Sequence, residues 1–429
     1  MPGGTRVAFA HVGRLAHAAA AVPTPLQLYR RLPEELRRCL RPLNLLEECG
    51  SVLPDRLRVA SAAAAEGARR MLQLGRTRYP VRRFVGQTRV GARELRAIVA
   101  ADDQWTRYWT RSLFAGEPEA ASLGDVMAGR VVEGADRVGR DVDLSLWQAA
   151  WPVARRLRDH ALVPGSVPLW LRTDRPMHEI IRGERAGRGS RRDDARRVRR
   201  LGLTIRVTHD ARHHDWFRRE LYEPYTSRRF GDLFLRVPRH AFRHARRHGT
   251  LLLLERRSEP VAGALLERWN GDVRVLAFGV RTDADVPSGL LLEACYFHAI
   301  AFAVDAKLPR LSLGACRPVL TDGVLRYKRK WGAYVGAPNT WDAFVVRYRN
   351  TAAVRAALTA TPLVIERGAG RLVALTAAHD VSIGDQVERI DIPGLAEIAC
   401  LTAEGDATSA SGRVRVVPAP GIADGAATR

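Results

Sequence analysis

The amino-acid sequence predicts an α/β protein with a mixed, largely antiparallel sheet, and three observations support this class. Apolar and polar side chains alternate in residues 203–208, as they do in a half-buried strand. Three further strand-like runs are separated only by tight turns: residues 251–256, 261–269 and 273–280. Asn270-Gly271 lies between the last two runs and is a strong hairpin signal. Residues 288–304 then form a long apolar segment that predicts a helix.

The chain before this region predicts two less sharply defined segments. Residues 1–75 are rich in Ala and Arg and have a helical pattern. Residues 76–180 mix both patterns, with a helix expected over residues 144–157 and a strand over residues 167–171. Residues 176–189 are expected to form a basic connector to the sharper pattern that follows.

The region from residue 190 to residue 350 contains a regular succession of predicted elements. In chain order these are a strand at 203–208, helices at 210–225 and 240–248, the three strands given above, a helix at 288–304, a strand at 310–313, a helix at 322–330 and a strand at 341–348. Gly249 follows the second helix directly, where glycine commonly ends a helix. After this region, a small β-rich appendage is expected over residues 351–429, with strand-like runs at 372–375, 387–392, 395–401 and 414–417.

The net charge of +23 predicts an anionic partner. Arginines concentrate in residues 182–200 and again in residues 240–248, and such patches attract RNA, nucleotide-sugar phosphates and coenzyme A alike. The five cysteines form no CxxC pair, which indicates a reducing compartment without a disulfide framework. No run of apolar residues approaches the roughly 18 that span a membrane. We therefore expect a cytoplasmic protein.

Residues 327–332, Tyr-Lys-Arg-Lys-Trp-Gly, are the most informative run of the chain. The 69 basic residues include only three lysines, and two of them, Lys328 and Lys330, lie here. A chain that favours Arg uses Lys where a compact, rotatable ammonium is needed rather than a planar guanidinium. A basic helix end, which suits the helix dipole, is the alternative explanation.

Three common functional motifs are absent from the sequence. The chain has no Walker A loop, no Gly-x-Gly-x-x-Gly run and no Gly-x-Ser-x-Gly elbow.

The order of elements between residues 190 and 350 resembles that of the GNAT acyltransferase fold. Three local runs extend the resemblance to the Fem-type peptidoglycan aminoacyltransferases and to the acetyltransferases associated with cellulose and exopolysaccharide synthesis: residues 221–231, 299–314 and 322–332. The third run resembles that family's signature of an aromatic residue and Lys, two further residues, then an aromatic residue and Gly. The resemblance covers residues 191–349 clearly and extends more weakly from residue 79. It implies tandem GNAT-like halves, with the chemistry in the C-terminal half.

The resemblance also implies a donor site between the third hairpin strand and the start of the long helix. The residues expected there are Phe278, Gly279, Val280, Arg281, Ser288 and Gly289. The pyrophosphate loop of general GNAT enzymes is not matched cleanly, although a helix N-terminus with small residues still makes an anion site. The donor therefore stays open between acyl-CoA, with acetyl-CoA as the first choice, and an aminoacyl-tRNA.

Lys328 and Tyr327 are the candidate catalytic residues. In ordinary GNAT enzymes a Tyr four residues before Gly often acts as the general acid. Here Tyr327 precedes Gly332 by five residues, which fits the Fem-type pattern and favours Lys328 for the chemistry. Acyl transfer to an amine passes through a tetrahedral oxyanion, and a fixed cation aimed at that oxyanion lowers the barrier.

Further polar residues of the C-terminal half are candidates for holding the acceptor. These are Tyr225, Arg228, Arg229 and Glu267. Glu267 would serve as a base, and the two arginines would hold an anionic acceptor; an ordinary edge residue and helix-end charges are the respective alternatives. Three histidines, at positions 240, 244 and 248, share one helical face, but no Cys or carboxylate pattern completes a metal site, and no metal is expected.

These features predict an N-acyltransferase that moves an acyl group, in the first instance acetyl, from acyl-CoA to an amine. The expected acceptor is a cell-envelope or exopolysaccharide precursor, for example a sugar or peptidoglycan precursor. Two alternatives stay open. One is aminoacyl transfer from charged tRNA, and the other is a catalytically silent GNAT-fold protein whose basic surface binds RNA or another polyanion.

Overall fold

The computed structural model of the protein describes most of the chain from residue 77 onwards. The described residues are 77–136, 141–150, 154, 161–182, 188–233, 237, 239–269, 272–338, 342–367, 370–402 and 414–417. The helical segment expected at residues 1–75 and the turn expected at Asn270-Gly271 lie outside the described residues.

The described strands form two mixed sheets. The strands are β1 Arg78–Gln87, β2 Glu94–Ala100, β3 Glu119–Met127, β4 Leu144–Ala150, β5 Ala161–Pro164, β6 Val167–Arg172, β7 Thr204–Thr208, β8 Gly249–Arg256, β9 Glu259–Trp269, β10 Asp272–Val280, β11 Arg310–Cys316, β12 Tyr334–Val335, β13 Asp342–Tyr348, β14 Leu363–Arg367, β15 Arg371–Ala377, β16 Glu397–Leu401 and β17 Val414–Val417. The ten-stranded sheet has the order β17-β16-β15-β14-β5-β13-β4-β2-β1-β3, and the seven-stranded sheet has the order β12-β6-β11-β10-β9-β8-β7. Most strand pairs are antiparallel; β2–β4, β10–β11, β15–β16 and β16–β17 are parallel. The predicted α/β class with largely antiparallel sheets is confirmed.

Helices cover both sheets. They are α1 Asp103–Leu113, α2 Val131–Asp136, α3 Met177–Arg182, α4 Arg188–Arg200, α5 Ala211–Phe217, α6 Glu223–Phe230, α7 Arg239–His248, α8 Ser288–Asp305, α9 Gly323–Lys330, α10 Ala352–Ala360 and α11 Ile383–Ile390. A π-helical turn, Arg218–Tyr222, joins α5 to α6, and a short 3-10 turn, Gly231–Leu233, follows α6. From β7 to β13 the predicted elements occur in the predicted order, with two differences. The helix expected at 210–225 is divided into α5, the π-helical turn and α6, and the short strand β12 follows α9.

The two sheets exchange strands. β6 precedes β7 to β11 in the chain, yet it lies between β11 and β12 in the seven-stranded sheet. Conversely, β13 follows β7 to β12 in the chain, yet it pairs with β4 and β5 in the ten-stranded sheet. β14 to β17 then extend that sheet, so the described strands after residue 350 belong to it. The division at residues 75, 180, 190 and 350 stays a prediction, and strand pairing crosses the last three of these boundaries.

β10 and β11 open a gap within the seven-stranded sheet. They pair in parallel only at Val273 with Leu311 and at Arg274 with Ser312. A register shift in β10 between Val275 and Ala277, and one in β11 between Ser312 and Ala315, bend the two strands beyond that point. Openings beyond the carboxyl ends of parallel strands are the usual binding crevices of open α/β sheets.

α8 forms the centre of the core above the seven-stranded sheet. By length and composition alone α8 is long and apolar enough to cross a membrane, so the expectation that no such run exists is wrong. Leu291, Ala294 and Ile300 of this helix are fully buried and pack in one cluster with the sheet. An apolar helix of this kind also arises inside a protein core, because it is covered on more than one side.

Three local predictions are wrong. Residues 144–150 form β4 instead of a helix; all seven are buried, and a short, mostly apolar run does not distinguish a buried strand from a helix. Residues 387–390 end α11 instead of forming a strand, because Ser382 caps that helix with a hydrogen bond from the Asp385 amide of 3.0 Å. The expected connector at residues 176–189 contains α3 and the beginning of α4.

Candidate functional site

The Tyr327–Gly332 run ends helix α9 and continues into the turn after it. Asp322 caps the start of α9, where its side chain accepts hydrogen bonds from the amides of Val324 and Leu325. Gly332 ends the helix with a φ of 90°, a conformation that favours glycine. Trp331 is fully buried in the core. The direction of each basic side chain of the run is therefore set by a helix that is anchored at both ends.

Lys328 is buried at the opening between β10 and β11. Only 5% of the residue is exposed, and its Nζ donates to the carbonyl oxygen of Ala315 over 3.3 Å. Among the described residues, no carboxylate forms an ion pair with this ammonium. Burying a charge without a paired counter-charge costs free energy, so the position is not explained by folding alone.

The bent end of β11 makes room for the Lys328 ammonium. Gly314 has a φ of 78°, and a Cβ on it would lie 3.6 Å from Lys328 Nζ and 3.5 Å from the Val275 carbonyl oxygen of β10. Cys316 follows on the same strand; burial raises the pKa of its thiol, while the adjacent Lys328 cation opposes that shift. The ammonium thus lies where the two strands begin to separate.

Three aromatic rings extend from this opening. The Tyr327 ring meets Tyr296 of α8 edge-on at 5.0 Å, and Tyr296 lies 4.3 Å from the Phe278 ring of β10. Burial raises the pKa of Tyr327 well above its usual range, so this hydroxyl stays protonated. Burial raises the pKa of Tyr296 too, and so do the neighbouring Cys316, Tyr327 and Tyr225. Tyr296 therefore lies between Tyr225 and the residues next to Lys328, which are Tyr327 and Cys316.

Tyr225 belongs to the wall of a cavity of about 520 Å³. The cavity is lined by Tyr225, Arg228, Arg229, Thr282, Ala284, Asp285, Val286, Pro287 and Ser288. Four residues predicted from the sequence, three for the acceptor and one for the donor, thus share one cavity. Within the described part of the chain, neither Arg228 nor Arg229 forms an ion pair with a carboxylate, whereas Asp285 is paired with Arg256.

The cavity also contains the N-terminus of α8. Ser288 is the first residue of this 18-residue helix, and Pro287 before it provides no side-chain cap. Nothing lies within 4 Å of a Cβ built on Gly289, so a ligand has access to the backbone there. The Tyr225 hydroxyl is buried, and the Arg229 guanidinium lies 5.9 Å from the centre of its ring. Free helix N–H groups, two guanidiniums and this hydroxyl together suit an anionic ligand.

The other predicted donor residues lie next to the cavity but do not line it. Gly279 packs against the π-helical turn: a Cβ there would lie 2.7 Å from the Tyr222 amide nitrogen. Val280 is buried in the core. Arg281 pairs with Glu259 at 3.2 Å. Beyond Arg274, β10 has no described strand partner on its β11 side, so that edge, which includes Phe278, faces the opening.

Glu267 lies at the other end of β9, away from the cavity lining. It is 1% exposed, and both of its oxygens are bound, one by His244 and the other by Arg274 with an Nε–O distance of 2.6 Å. Burial raises the pKa of the carboxyl, but the hydrogen bond from His244 and the charge of Arg274 outweigh it and lower the pKa. His244, which the sequence places on a face with His248, is engaged by this pair.

Several residues of the site have no signal in the sequence. Thr282, Asp285 and Val286 line the cavity, and Gly314 and Cys316 surround the Lys328 ammonium. Of the short segment between β10 and α8, the sequence predicts only Arg281 at its start and Ser288 and Gly289 after its end as donor-site residues. Its inner residues carry no pattern in the sequence, because their position follows from where the neighbouring elements begin.

Comparisons with known proteins give distant similarities. The chain is similar to the structure of L-PGS from Bacillus licheniformis, with 12% identity and a TM-score of 0.32 over 62% of this chain and 80% of that one. It is similar to FemX, with 11% identity and a TM-score of 0.33 over 64% of this chain and 90% of that one. A GCN5-related N-acetyltransferase from Kribbella flavida has 18% identity and a TM-score of 0.23 over 65% of this chain and 92% of that one. No family model and no curated protein matches the sequence.

Proposed function

We propose that the protein is an N-acyltransferase that moves an acyl group, in the first instance acetyl, from acyl-CoA to an amine. The observation that carries this proposal is the buried Lys328 ammonium at the opening between β10 and β11, with no carboxylate partner among the described residues. A buried cation that is left available for a ligand is expected where negative charge develops during a reaction.

The cavity supports the donor part of the proposal. Arg228, Arg229 and the start of α8 at Ser288 would hold the phosphates of coenzyme A, since guanidiniums and free helix N–H groups are the usual phosphate ligands. The unpartnered edge of β10 leads from there towards Lys328. A thioester bound along that edge would bring its carbonyl to the ammonium.

The reaction then follows from the residues at the opening. The acceptor nitrogen attacks the thioester carbon, and the ammonium of Lys328 stabilises the oxyanion that forms. Collapse of this intermediate breaks the C–S bond, and the thiolate of coenzyme A leaves. Burial raises the pKa of Tyr327, so its hydroxyl stays protonated and is suited to donate a hydrogen bond to that thiolate, which takes its proton from water. The attacking nitrogen loses its own proton to water.

Acetyl-CoA titration and a Lys328→Met variant test this function. We expect calorimetry to detect acetyl-CoA binding in both proteins, because Lys328 lies outside the cavity lining. Turnover with amine acceptors should fall about 100-fold in the variant, the usual effect of removing one oxyanion donor. Lys307→Met, at an exposed position, is the matched control and should retain full turnover. Absence of binding heat at millimolar acetyl-CoA, or equal turnover by Lys328→Met, would contradict the proposal.

The alternative donor, an aminoacyl-tRNA, is favoured by the net charge of +23. A filter-binding series with charged and uncharged tRNA against salt separates the possibilities. Transfer of the amino acid to an amine would identify the tRNA as donor. Steeply salt-dependent RNA binding without acetyl-CoA binding and without transfer would identify a catalytically silent polyanion-binding protein. For the acceptor, a cell-envelope or exopolysaccharide precursor in the cytoplasm is the first class to assay.

A further inference from the structure

Lys330, two residues after Lys328, belongs to a network of four charges between three helices. Its ammonium pairs with Asp194 of α4, whose carboxylate is 1% exposed. Arg197 pairs with the same carboxylate and also with Glu293 of α8 at 3.2 Å. The network therefore ties the last turn of α9 to α4 and α8, the two helices that pack above the seven-stranded sheet.

The neighbouring basic residues of α9 each contact a different element. Successive helix residues are about 100° apart, so Lys328 and Lys330 project to nearly opposite sides of the helix. Lys328 reaches β11, and Lys330 reaches α4. Arg329, between them, donates to the carbonyl oxygens of Glu388 and Arg389 at the end of α11. Contacts on three sides fix the rotation of the helix about its own axis.

The helix does not need the Lys330 pair in order to form. Asp322 caps its start, Gly332 ends it, and the buried Trp331 anchors its last turn in the core. The Lys330–Asp194 pair instead fixes how that turn is rotated about the helix axis and how far it lies from α4. The ammonium shares a buried carboxylate that also binds the Arg197 guanidinium.

We propose that Lys330 is a positioning residue: its ion pair with Asp194 holds the last turn of α9 so that the Lys328 ammonium stays at the opening between β10 and β11. The effect on catalysis rests on the proposed function of Lys328, whereas the effect on the position of Lys328 does not. Small displacements matter in such an arrangement, since a misplacement of about 1 Å costs on the order of 100-fold in rate.

The test compares Lys330→Met, Lys330→Arg and Asp194→Asn with the control Lys307→Met. The first readout is steady-state kinetics with acetyl-CoA and an amine. We expect Lys330→Met to lower kcat by about 10- to 100-fold with little change in the KM for acetyl-CoA, because the network does not line the cavity. Lys330→Arg keeps the charge and should restore most of kcat. In a Lys328→Met background, Lys330→Met should have almost no further effect on kcat.

The second readout does not depend on activity. Competitive labelling of the lysine amines with acetic anhydride, followed by peptide mass spectrometry, measures the accessibility of each of the three lysines separately. We expect labelling of Lys328 to rise several-fold in Lys330→Met and Asp194→Asn, while Lys307 stays unchanged. If Asp194→Asn does not fold, Lys330→Met alone still decides the question.

The outcomes separate this inference from the proposed function. Unchanged kcat and unchanged Lys328 labelling in folded Lys330→Met would overturn the positioning role. A rise in Lys328 labelling in a protein that transfers no acyl group would support the positioning role and reject the proposed function. A loss of kcat that Lys330→Arg does not restore, with Lys328 labelling unchanged, would also count against positioning through this ion pair.

Discussion

At the scale of single residues, the buried charged side chains differ in whether a residue of opposite charge is paired with them. Glu267 is bound by His244 and Arg274, and Asp194 by Lys330 and Arg197. Such pairs compensate the free-energy cost of burial. Lys328 has the Ala315 carbonyl and the adjacent Cys316 thiol as neighbours and no ion pair with a carboxylate among the described groups, so its charge is available to a ligand. The distinction depends on partners from distant parts of the chain, so the sequence left Glu267 open between a base and an ordinary edge residue.

Glu267→Gln should destabilise the protein by about 3 kcal/mol at neutral pH, because it removes one charge of a buried ion-pair network. Glu259→Gln on the same strand is the matched control. Its carboxylate is exposed and pairs with Arg281, so a loss of at most about 1 kcal/mol is expected. Urea unfolding of both variants measures the difference. Equal stability of Glu267→Gln and Glu259→Gln would contradict a stabilising role for the buried network.

The effect of Glu267 also has a defined pH dependence. The folded state lowers the pKa of this carboxyl below its ordinary value of 4.5. Its ionised form therefore contributes fully to stability above pH 4.5, and that contribution is lost as the pH falls through the lowered value. The difference in unfolding free energy between wild type and Glu267→Gln should be full at pH 7 and shrink below pH 4.5. A difference that grows on acidification would contradict this sign.

At the scale of elements, the site depends on how closely β10 packs on the π-helical turn Arg218–Tyr222. Gly279 allows that contact, because any side chain would collide with the backbone of Leu221 and Tyr222. The family resemblance of the sequence predicts a role for Gly279 in donor binding, from its position in the third hairpin strand. The structure gives it a packing role that no local pattern reveals, since the contacting turn is more than fifty residues earlier in the chain.

Two Gly→Ala substitutions distinguish a glycine that is packed tightly against a neighbouring element from one that is open to solvent. Gly279→Ala should cost about 1 to 3 kcal/mol in stability, because its Cβ would lie 2.7 Å from the Tyr222 amide nitrogen. Gly289→Ala, in the first turn of α8, meets nothing within 4 Å and should leave stability equal or slightly higher. Thermal unfolding of the two variants checks this. A Gly289→Ala protein that is the less stable of the two would be inconsistent with the geometry.

Prediction of elements succeeded where local chemistry decides the structure. The alternation in β7 and the Asp322 cap of α9 are signals within a few residues. It failed in β4 and in α11. β4 is buried on both faces, so its sequence does not show the apolar–polar alternation of a half-buried strand. The apolar residues of α11 were interpreted with the period of a strand.

At the scale of the whole molecule, the exchange of β6 and β13 makes the two sheets depend on each other. β6 supplies the neighbour of both β11 and β12 in the seven-stranded sheet. β11 carries the Gly314–Cys316 bend that surrounds Lys328. The position of the candidate catalytic residue is therefore supported by a strand from the other half of the chain.

A fragment of residues 190–350 should consequently fail to fold on its own. It lacks β6, so β11 would have an open edge and β12 no strand partner. Moreover, β13 would lose β4 and β5. We expect circular dichroism of this fragment to show no cooperative thermal transition, in contrast to the full chain. A cooperative transition in the isolated fragment would show that residues 190–350 form an independent domain.

The sequence by itself determined the α/β class, the succession of elements from β7 to β13 and the importance of the Tyr327–Gly332 run. These depend on periodicity, caps and composition, which act over a few residues. Only the tertiary structure decided which charges are paired, that β6 and β13 change sheets, and that Tyr225, Arg228, Arg229 and Ser288 line one cavity. The physical reason is that burial and pairing depend on contacts between segments far apart in the chain, and a single sequence carries no local signal for them.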